Sequence, residues 1–213
     1  MNESSATARS ETSGRLLDAA ERLFGEHGFD AVGMRELAKA ARVNLGATTY
    51  HYGSKKKLYI EALMRRLRPC NAEQLAMLRA VRGAERSPTV EAIVDCMVRP
   101  VCSLGVTYPD FGALLARNLV LPPAFLQGAL QKEMEPKARE FVAALRECLP
   151  DTPPALLNMR YLFSMGSLLM LSAQAGRMPP TRNPQVFERM IQELVRFISG
   201  GLRSESAPST PKS

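Results

Sequence analysis

Apolar positions near residue 40 repeat with the period of two short helices. Leu37, Ala38 and Ala41 have the three- and four-residue spacing that places apolar side chains on one helix face, and the charged residues between them fall outside it. The pattern then breaks in a turn, after which Asn44 is suited to cap a second helix over about Leu45–His51. Two short helices joined by a tight turn predict a helix-turn-helix.

The second helix has the size and surroundings expected of a DNA-reading element. Its small residues at 46–49 make it slim enough for a major groove that is roughly 12 Å wide. Gly53 stops it, and Ser54 caps a further helix whose first turn holds Lys55, Lys56 and Lys57. The helix dipole disfavours cations there by about 0.3–1 kcal/mol each. Because such an unfavourable placement suggests a functional role, we expect these lysines to bind the phosphate backbone of a nucleic acid. The alternative is an ordinary solvated run of lysines.

Residues 14–60 resemble the N-terminal DNA-binding domain of the TetR family of bacterial transcription regulators. The resemblance is carried by a leading helix with the pattern Leu-x-x-Ala-x-x-Leu-Phe, the Gly28-Phe29 corner, the helix-turn-helix and the closing Tyr-His-Tyr-Gly-Ser-Lys. It implies that Thr48 and Tyr52 face the core of the small domain. It also implies a set of DNA-binding residues, of which Ala47 and Thr49 face base edges and Tyr50, His51 and Lys55 grip phosphates; the full set is Arg35, Asn44, Gly46, Ala47, Thr49, Tyr50, His51, Lys55 and Lys57.

Two positions depart from the family pattern. Arg42 occupies the turn position that is usually glycine, and Gly33 occupies the cap where serine or threonine is common. A non-glycine residue at positive φ is uncommon and somewhat strained, so the turn is the local feature where the departure matters most.

Composition agrees with a DNA-binding regulator. The chain has 213 residues, enough for one or two domains, and its net charge of +7 with a pI of about 9.5 favours a polyanionic partner. The first residues are polar, and no apolar run reaches the roughly 18 residues that a membrane span needs. We therefore expect a cytoplasmic protein without a membrane partner.

After residue 60 the periodicity stays helical and is punctuated by prolines. We expect a helix from Ser54 to a break or kink at Pro69, a resumption over about 71–81, and a helix capped by Ser87-Pro88 that Pro100 bends or ends. Further helices should open at Tyr108-Pro109-Asp110, close at Pro122-Pro123, and run over 124–149 with a kink at Pro136. The predicted fold is all-α: a disordered stretch at 1–13, a three-helix helix-turn-helix domain at 14–60, a helical effector-binding and dimerisation domain at 61–202, and a disordered tail at 203–213.

The last two predicted helices indicate assembly. Residues 155–173 are apolar on nearly every face, which is typical of a helix buried all round. Asn183-Pro184 should cap a final amphipathic helix that ends at Gly200-Gly201. The resemblance implies a four-helix interface in a homodimer, formed by Phe163, Met170, Phe187, Met190, Ile191 and Leu194. The alternative is that both helices complete the core of a monomer.

The middle of the chain holds material for an effector pocket. The chain has eleven methionines and no tryptophan, which favours an interior that can adapt its packing. The flexible side chain of methionine is suited to the wall of an adaptable apolar cavity. The candidate lining residues are Met97, Cys102, Phe111, Leu115, Phe125, Phe163 and Met165, each of which could instead be plain core. This region resembles, more loosely, a branch of the family that includes regulators responding to fatty acids or acyl thioesters.

Other chemistry has little support in the sequence. There are two histidines, no CxxC spacing, no nucleophile-base arrangement in a recognisable context and no glycine-rich phosphate loop, so we expect no enzyme activity, metal or cofactor. The main hypothesis is a homodimeric repressor that binds an inverted-repeat DNA operator and is released by a small apolar effector. Two alternatives stay open: a regulator that senses oxidation through Cys96 and Cys102, and a lipid-binding carrier whose basic N-terminus merely associates with anionic surfaces.

Overall fold

The computed structural model describes residues 3–175 and 183–204. Within these ranges the chain forms nine helices and no strand, which confirms the all-α prediction. The helices are α1 (Glu3–His27), α2 (Met34–Ala41), α3 (Leu45–Tyr52), α4 (Lys55–Arg82), α5 (Val90–Thr107), α6 (Pro109–Val120), α7 (Ala124–Cys148), α8 (Pro154–Ala175) and α9 (Pro184–Arg203).

The ends of the chain differ in part from the sequence prediction. Helix α1 begins at Glu3, so residues 3–13, for which we predicted disorder, are helical. Helix α9 does not stop at Gly200-Gly201 but continues to Arg203, because buried Leu202 and an ion pair between Arg203 and Glu91 hold its last turn on the body of the protein. Most of the predicted tail, residues 205–213, lies outside the described residues.

The second helix of the helix-turn-helix ends within one residue of its predicted end, and the turn before it places Arg42 at a φ of 55°. The Val43 amide donates to the Ala38 carbonyl at 3.0 Å and the Arg42 amide to that of Lys39 at 3.1 Å, which closes α2 as a Schellman-type cap. The half-buried Val43 side chain packs on the core beside it. Arg42 therefore performs the role of the usual glycine, with the backbone strain that a side chain adds there.

Three prolines lie inside helices and end none of them. Pro69, Pro100 and Pro136 lie within α4, α5 and α7, so a break at Pro69 and a helix end at Pro100 are excluded, whereas the kinks predicted at these prolines stay predictions. Each proline removes one backbone hydrogen bond, but buried side chains on both sides of it hold the two halves of the helix in the core. The start of α5 also differs: Thr89, and not Ser87, caps it by accepting from the Ala92 amide at 3.2 Å.

Two apolar cores run through the helices. The first joins the helix-turn-helix to α6 and α7, since Tyr59 and Phe24 pack with Phe111 and Leu126. The second lies between the C-terminal parts of α4 and α7 and helices α5, α8 and α9. The first core is therefore not confined to residues 14–60. Helix α6 packs in it against the DNA-binding helices and belongs to the part of the chain that follows them.

Among the described residues, no single helix has the length and hydropathy to cross a membrane. Helices α6 and α7 meet these criteria only when they are taken together, and they are bent by 100° at the break between them.

Candidate nucleic-acid interface

Helix α3 is anchored on its inner side and open on its outer side. Thr48 and Tyr52 are buried, as the resemblance implied. The Asn44 side chain accepts from the Ala47 amide at 2.6 Å and caps the helix, as predicted, and Gly53 ends it at a φ of 69°. All nine candidate DNA-binding residues lie on α2, on α3 with its cap, or in the first turn of α4, and none of them is buried. The fold thus gathers them, but their contacts with DNA stay a prediction.

Tyr50 is the most exposed of the large hydrophobic side chains in this region, at 71 %. Arg9 on α1 donates from Nη2 to its phenol oxygen at 2.8 Å, and the guanidinium carbon lies 5.4 Å from the ring centroid. One turn further along α1, the Ser13 hydroxyl hydrogen bonds with the Tyr52 hydroxyl at 2.6 Å. Arg9 and Ser13 of α1 therefore both contact α3, and sequence reasoning missed these contacts because it placed both residues in a disordered stretch.

Two of the three lysines at the start of α4 contact other residues of the same chain. The Lys55 ammonium donates to the Val32 carbonyl at 2.8 Å and lies 4.3 Å from the Phe29 ring centroid. The Lys56 ammonium lies 5.6 Å from the Phe125 ring centroid, whereas Lys57 is exposed. These contacts offset part of the unfavourable dipole interaction. Lys55 keeps further N–H donors, so its predicted phosphate contact is compatible with this geometry.

The candidate dimer surface is an apolar face of α8 and α9. Leu162, Phe163 and Met170 on α8 and Phe197 on α9 are 61–70 % exposed. Helix α8 is therefore not buried all round within one chain, and the exposure of Phe163 and Met170 is compatible with their predicted place in a dimer interface. Of the six predicted interface residues, Phe163 and Met170 are exposed, Phe187, Met190 and Leu194 are half-buried, and Ile191 is fully buried in the core of its own subunit.

Ile191 is thus excluded as a contact with a partner in this structure, because its side chain is fully enclosed by its own chain. An amphipathic stripe tells which face of α9 is apolar but not where the stripe passes from the core to the surface. Sequence reasoning also missed Phe197, which continues the apolar positions of α9 to the outside. A groove of about 470 Å³ lies here, between Phe163 and Arg160 of α8 and Phe197 and Gly200 of α9.

The predicted effector-lining residues are not brought together. Met97 and Cys102 are buried in the second core, and Phe111 and Leu115 in the first. Phe125 and Met165 are half-buried, and Phe163 lies on the surface. In four surface pockets formed by described residues, Phe163 is the one member of this set that contributes to a wall. Apolar character in a sequence does not separate a packed core from a cavity wall.

A buried polar cluster joins α4, α5 and α7 in the second half of the molecule. The Lys137 ammonium donates to Asn71 Oδ1 at 2.7 Å and to Gln74 Oε1 at 2.9 Å. Gln74 in turn donates to the Met97 carbonyl at 2.5 Å. Burial lowers the pKa of Lys137 to about 8, because the ammonium is removed from water and its two hydrogen-bond acceptors among the described residues are neutral amides. The sequence offers no signal for this cluster, since lysine and amide side chains are usually exposed.

Helix α6 is held between α1 and α8 by close backbone contacts. A Cβ at Gly25 of α1 would lie 2.6 Å from the Asp110 carbonyl oxygen of α6. On the other side, a Cβ at Gly112 of α6 would lie 3.0 Å from the Ser172 carbonyl oxygen of α8. A side chain at Gly25 would clash with the α6 backbone, and one at Gly112 would require the α8 backbone to give by a few tenths of an ångström, so α6 packs closely against both α1 and α8.

The environment of the cysteines and the positions of possible metal ligands bear on whether the protein could sense oxidation or bind a metal. Cys96 and Cys102 are both buried, and burial raises their pKa to about 11 and about 12, so both are protonated thiols at neutral pH. A redox sensor needs the opposite environment, with an exposed thiolate. Within the described part of the chain, no three histidine, cysteine or carboxylate side chains lie together as a metal site.

Comparisons with known proteins match the geometry described above. Residues 16–62 match the family model for bacterial regulatory proteins of the tetR family, and residues 92–201 match the model for the tetracyclin repressor-like C-terminal domain. A comparison with curated proteins finds no match.

Among solved structures, HlyIIR, a hemolysin II transcriptional regulator, is similar over 92 % of this chain and 99 % of its own, with 18 % identity and a TM-score of 0.62. A TetR family regulator from Marinobacter aquaeolei VT8 is 15 % identical over 92 % of this chain and 97 % of its own, with a TM-score of 0.67. A TetR-like regulator from Rhodococcus sp. RHA1 is 14 % identical over 90 % of this chain and 93 % of its own, with a TM-score of 0.65. At these identities the likeness concerns the fold.

Proposed function

Because the chain belongs to the TetR family of transcriptional regulators, we propose that it is a homodimeric repressor that binds an inverted-repeat operator and releases it when a small apolar effector binds. Regulators of this family bind DNA and are not enzymes. The operator, the effector and the details of the dimer are the parts that we propose.

The observation that carries the proposal is the outer face of α3. Thr48 and Tyr52 lock its inner face into the first core, while Gly46, Thr49 and Tyr50 point away from it and are exposed. A helix anchored in this way can enter the major groove without losing its own packing. Its small side chains allow the backbone to approach base edges, and the cations around it supply the sequence-independent attraction to phosphates.

The apolar face of α8 and α9 supports the dimer. An exposed patch with Leu162, Phe163 and Phe197 is costly in water and is typical of a protein interface. A second copy of the chain would cover it around a two-fold axis and present two recognition helices to two half-sites. One short α3 offers few base contacts, so the second half-site is needed for specificity.

The close contacts of α6 support control by an effector. A ligand that changes the position of α8 or α5 would move α6, and α6 would move α1 through the contact at Gly25. Two recognition helices at altered spacing no longer fit successive major grooves. Operator DNA must then weaken effector binding by the same factor by which the effector weakens DNA binding.

Selection of binding sites from a random duplex pool tests the proposal, followed by affinity titrations of the selected duplex at two salt concentrations. The expected result is an inverted repeat bound by two subunits, and binding to a scrambled duplex that is weaker and more general. A variant carrying Thr49→Ala is the matched control, because it should alter the selected bases without altering the attraction to phosphates. Recovery of no motif would contradict the regulator proposal and favour the lipid-carrier alternative, for which lipid binding by the full chain would not change when duplex DNA is added.

A further inference from the structure

Arg9 lies beside the recognition helix although it precedes the region that matches the DNA-binding family model, which begins at residue 16. We propose that Arg9 and Tyr50 bind one DNA phosphate together, so that the first turns of α1 form part of the nucleic-acid interface. The inference rests on the proposed operator binding and adds to it a contact from a segment outside the helix-turn-helix.

Two contacts fix the position of Arg9. Its guanidinium donates to the Tyr50 phenol at 2.8 Å and lies 5.4 Å from the centre of that ring. Ser13, four residues further and on the same face of α1, is bonded to Tyr52 at 2.6 Å. The guanidinium is therefore placed next to α3 by the helix that carries it, and it does not depend on a flexible arm.

The chemistry of the pair is suited to a phosphate. A guanidinium has five N–H donors, and the contact with Tyr50 uses one of them. Among the side chains that the structure describes, no carboxylate is paired with Arg9, and both Arg9 and Tyr50 are exposed. The phenol accepts from Arg9 and keeps its own O–H to donate. A phosphate oxygen facing the pair would thus receive donors from both residues, in the fork geometry that favours arginine over lysine.

Salt dependence tests whether Arg9 itself reaches a phosphate. The probes are a fluorescent duplex carrying the inverted repeat selected by the wild-type protein and a scrambled duplex of the same composition. For Arg9→Ala we expect a loss of about tenfold or more on both duplexes, since a charge-assisted hydrogen bond is lost in each subunit. The slope of log affinity against log salt should also fall in magnitude by about 0.9 per subunit, or about 1.8 for the dimer.

Two further variants separate contact from positioning. Tyr50→Phe removes the hydrogen bond to Arg9 but keeps the charge, so affinity should fall while the salt slope stays at the wild-type value. Arg22→Ala removes an exposed arginine about 20 Å further along α1 and should change neither quantity.

Three outcomes would overturn the inference. An Arg9→Ala variant with the wild-type slope would show that Arg9 at most positions Tyr50. If Arg9→Ala lost affinity for the selected duplex alone, Arg9 would contact a base. If Arg9→Ala bound both duplexes as tightly as Arg22→Ala does, Arg9 would not belong to the interface. Failure of the proposed function looks different, because the wild-type protein would then not prefer the selected duplex over the scrambled one.

Discussion

Replacing Gly25 with alanine should destabilise the protein, although the same change at Gly14 in the same helix should stabilise it. At Gly25 the new Cβ would lie 2.6 Å from the Asp110 carbonyl oxygen and 3.4 Å from the Leu114 amide nitrogen, whereas at Gly14 it would meet nothing within 4 Å. The atoms that it meets at Gly25 belong to the α6 backbone, so no side-chain rotation can relieve the contact, and α6 itself must move away from α1.

The magnitude follows from two terms. Alanine is favoured over glycine inside a helix by about 0.5–1 kcal/mol, and both variants gain this term. Overpacking of a tight contact typically costs about 1–3 kcal/mol, and this cost applies to Gly25→Ala alone. We therefore expect Gly14→Ala to raise the free energy of unfolding by about 0.5–1 kcal/mol. Gly25→Ala should be less stable than Gly14→Ala by about 1–3 kcal/mol.

Urea unfolding at one fixed protein concentration measures the difference, because the stability of a dimer depends on concentration. An equal midpoint and slope for the two variants would refute the close contact between α1 and α6. The same pair tests the proposed coupling: Gly25→Ala displaces α6 and should weaken binding to the selected duplex, whereas Gly14→Ala should bind it like the wild type. Weaker binding by both variants to the same extent would show that the change does not act through α6.

Three other predictions concern single residues. The folded-state pKa of Lys137, about 8, is below its ordinary value of 10.5, so the unfolded chain binds more protons between these values and the free energy of unfolding should rise with pH across this window. The free energy of unfolding is measured by urea titration at several pH values for the wild type and for Lys137→Met, and the difference between the two removes the contribution of the buried thiols. A difference that does not change with pH would contradict this prediction. Thr49→Ala should change the difference in binding free energy between operator sequences by about 1–3 kcal/mol in competition titrations. An unchanged preference would show that Thr49 does not contact a base. Phe197→Asp should shift the protein from dimer to monomer in sedimentation at a concentration where an Asp substitution at exposed Lys132 does not.

Helix ends were predictable from sequence where their determinants are local. Asn44, Ser54 and Asn183 cap helices as expected, because each needs only its own side chain and an amide two or three residues further on. The turn at Arg42 also follows from its neighbours, since the helix-turn-helix pattern dictates the backbone and the residue adapts to it.

The remaining features depend on contacts that are distant in sequence. The continuity of α4 through Pro69 is decided by packing against other helices, which outweighs the local preference of proline. The contact of Arg9 with Tyr50 spans 41 residues and has no counterpart in the local pattern. The effector-lining residues stay a prediction for a different reason: a list of apolar side chains is the same for a filled core and for a cavity, and only their arrangement separates the two.

Helix α8 has more apolar surface than a single chain buries. Its sequence is apolar on nearly every face and predicts complete burial, yet Leu162 and Phe163 stay exposed on the single chain. A second copy of the chain resolves the conflict, because it would supply the burial that one subunit lacks. The opposite side of the same helix contacts Gly112 of α6 through Ser172, and α6 contacts Gly25 of α1. Helices α8, α6 and α1 are thus joined by close backbone contacts, and under the proposed function a ligand that altered the packing of α8 would act on subunit association and on the DNA-binding helices together.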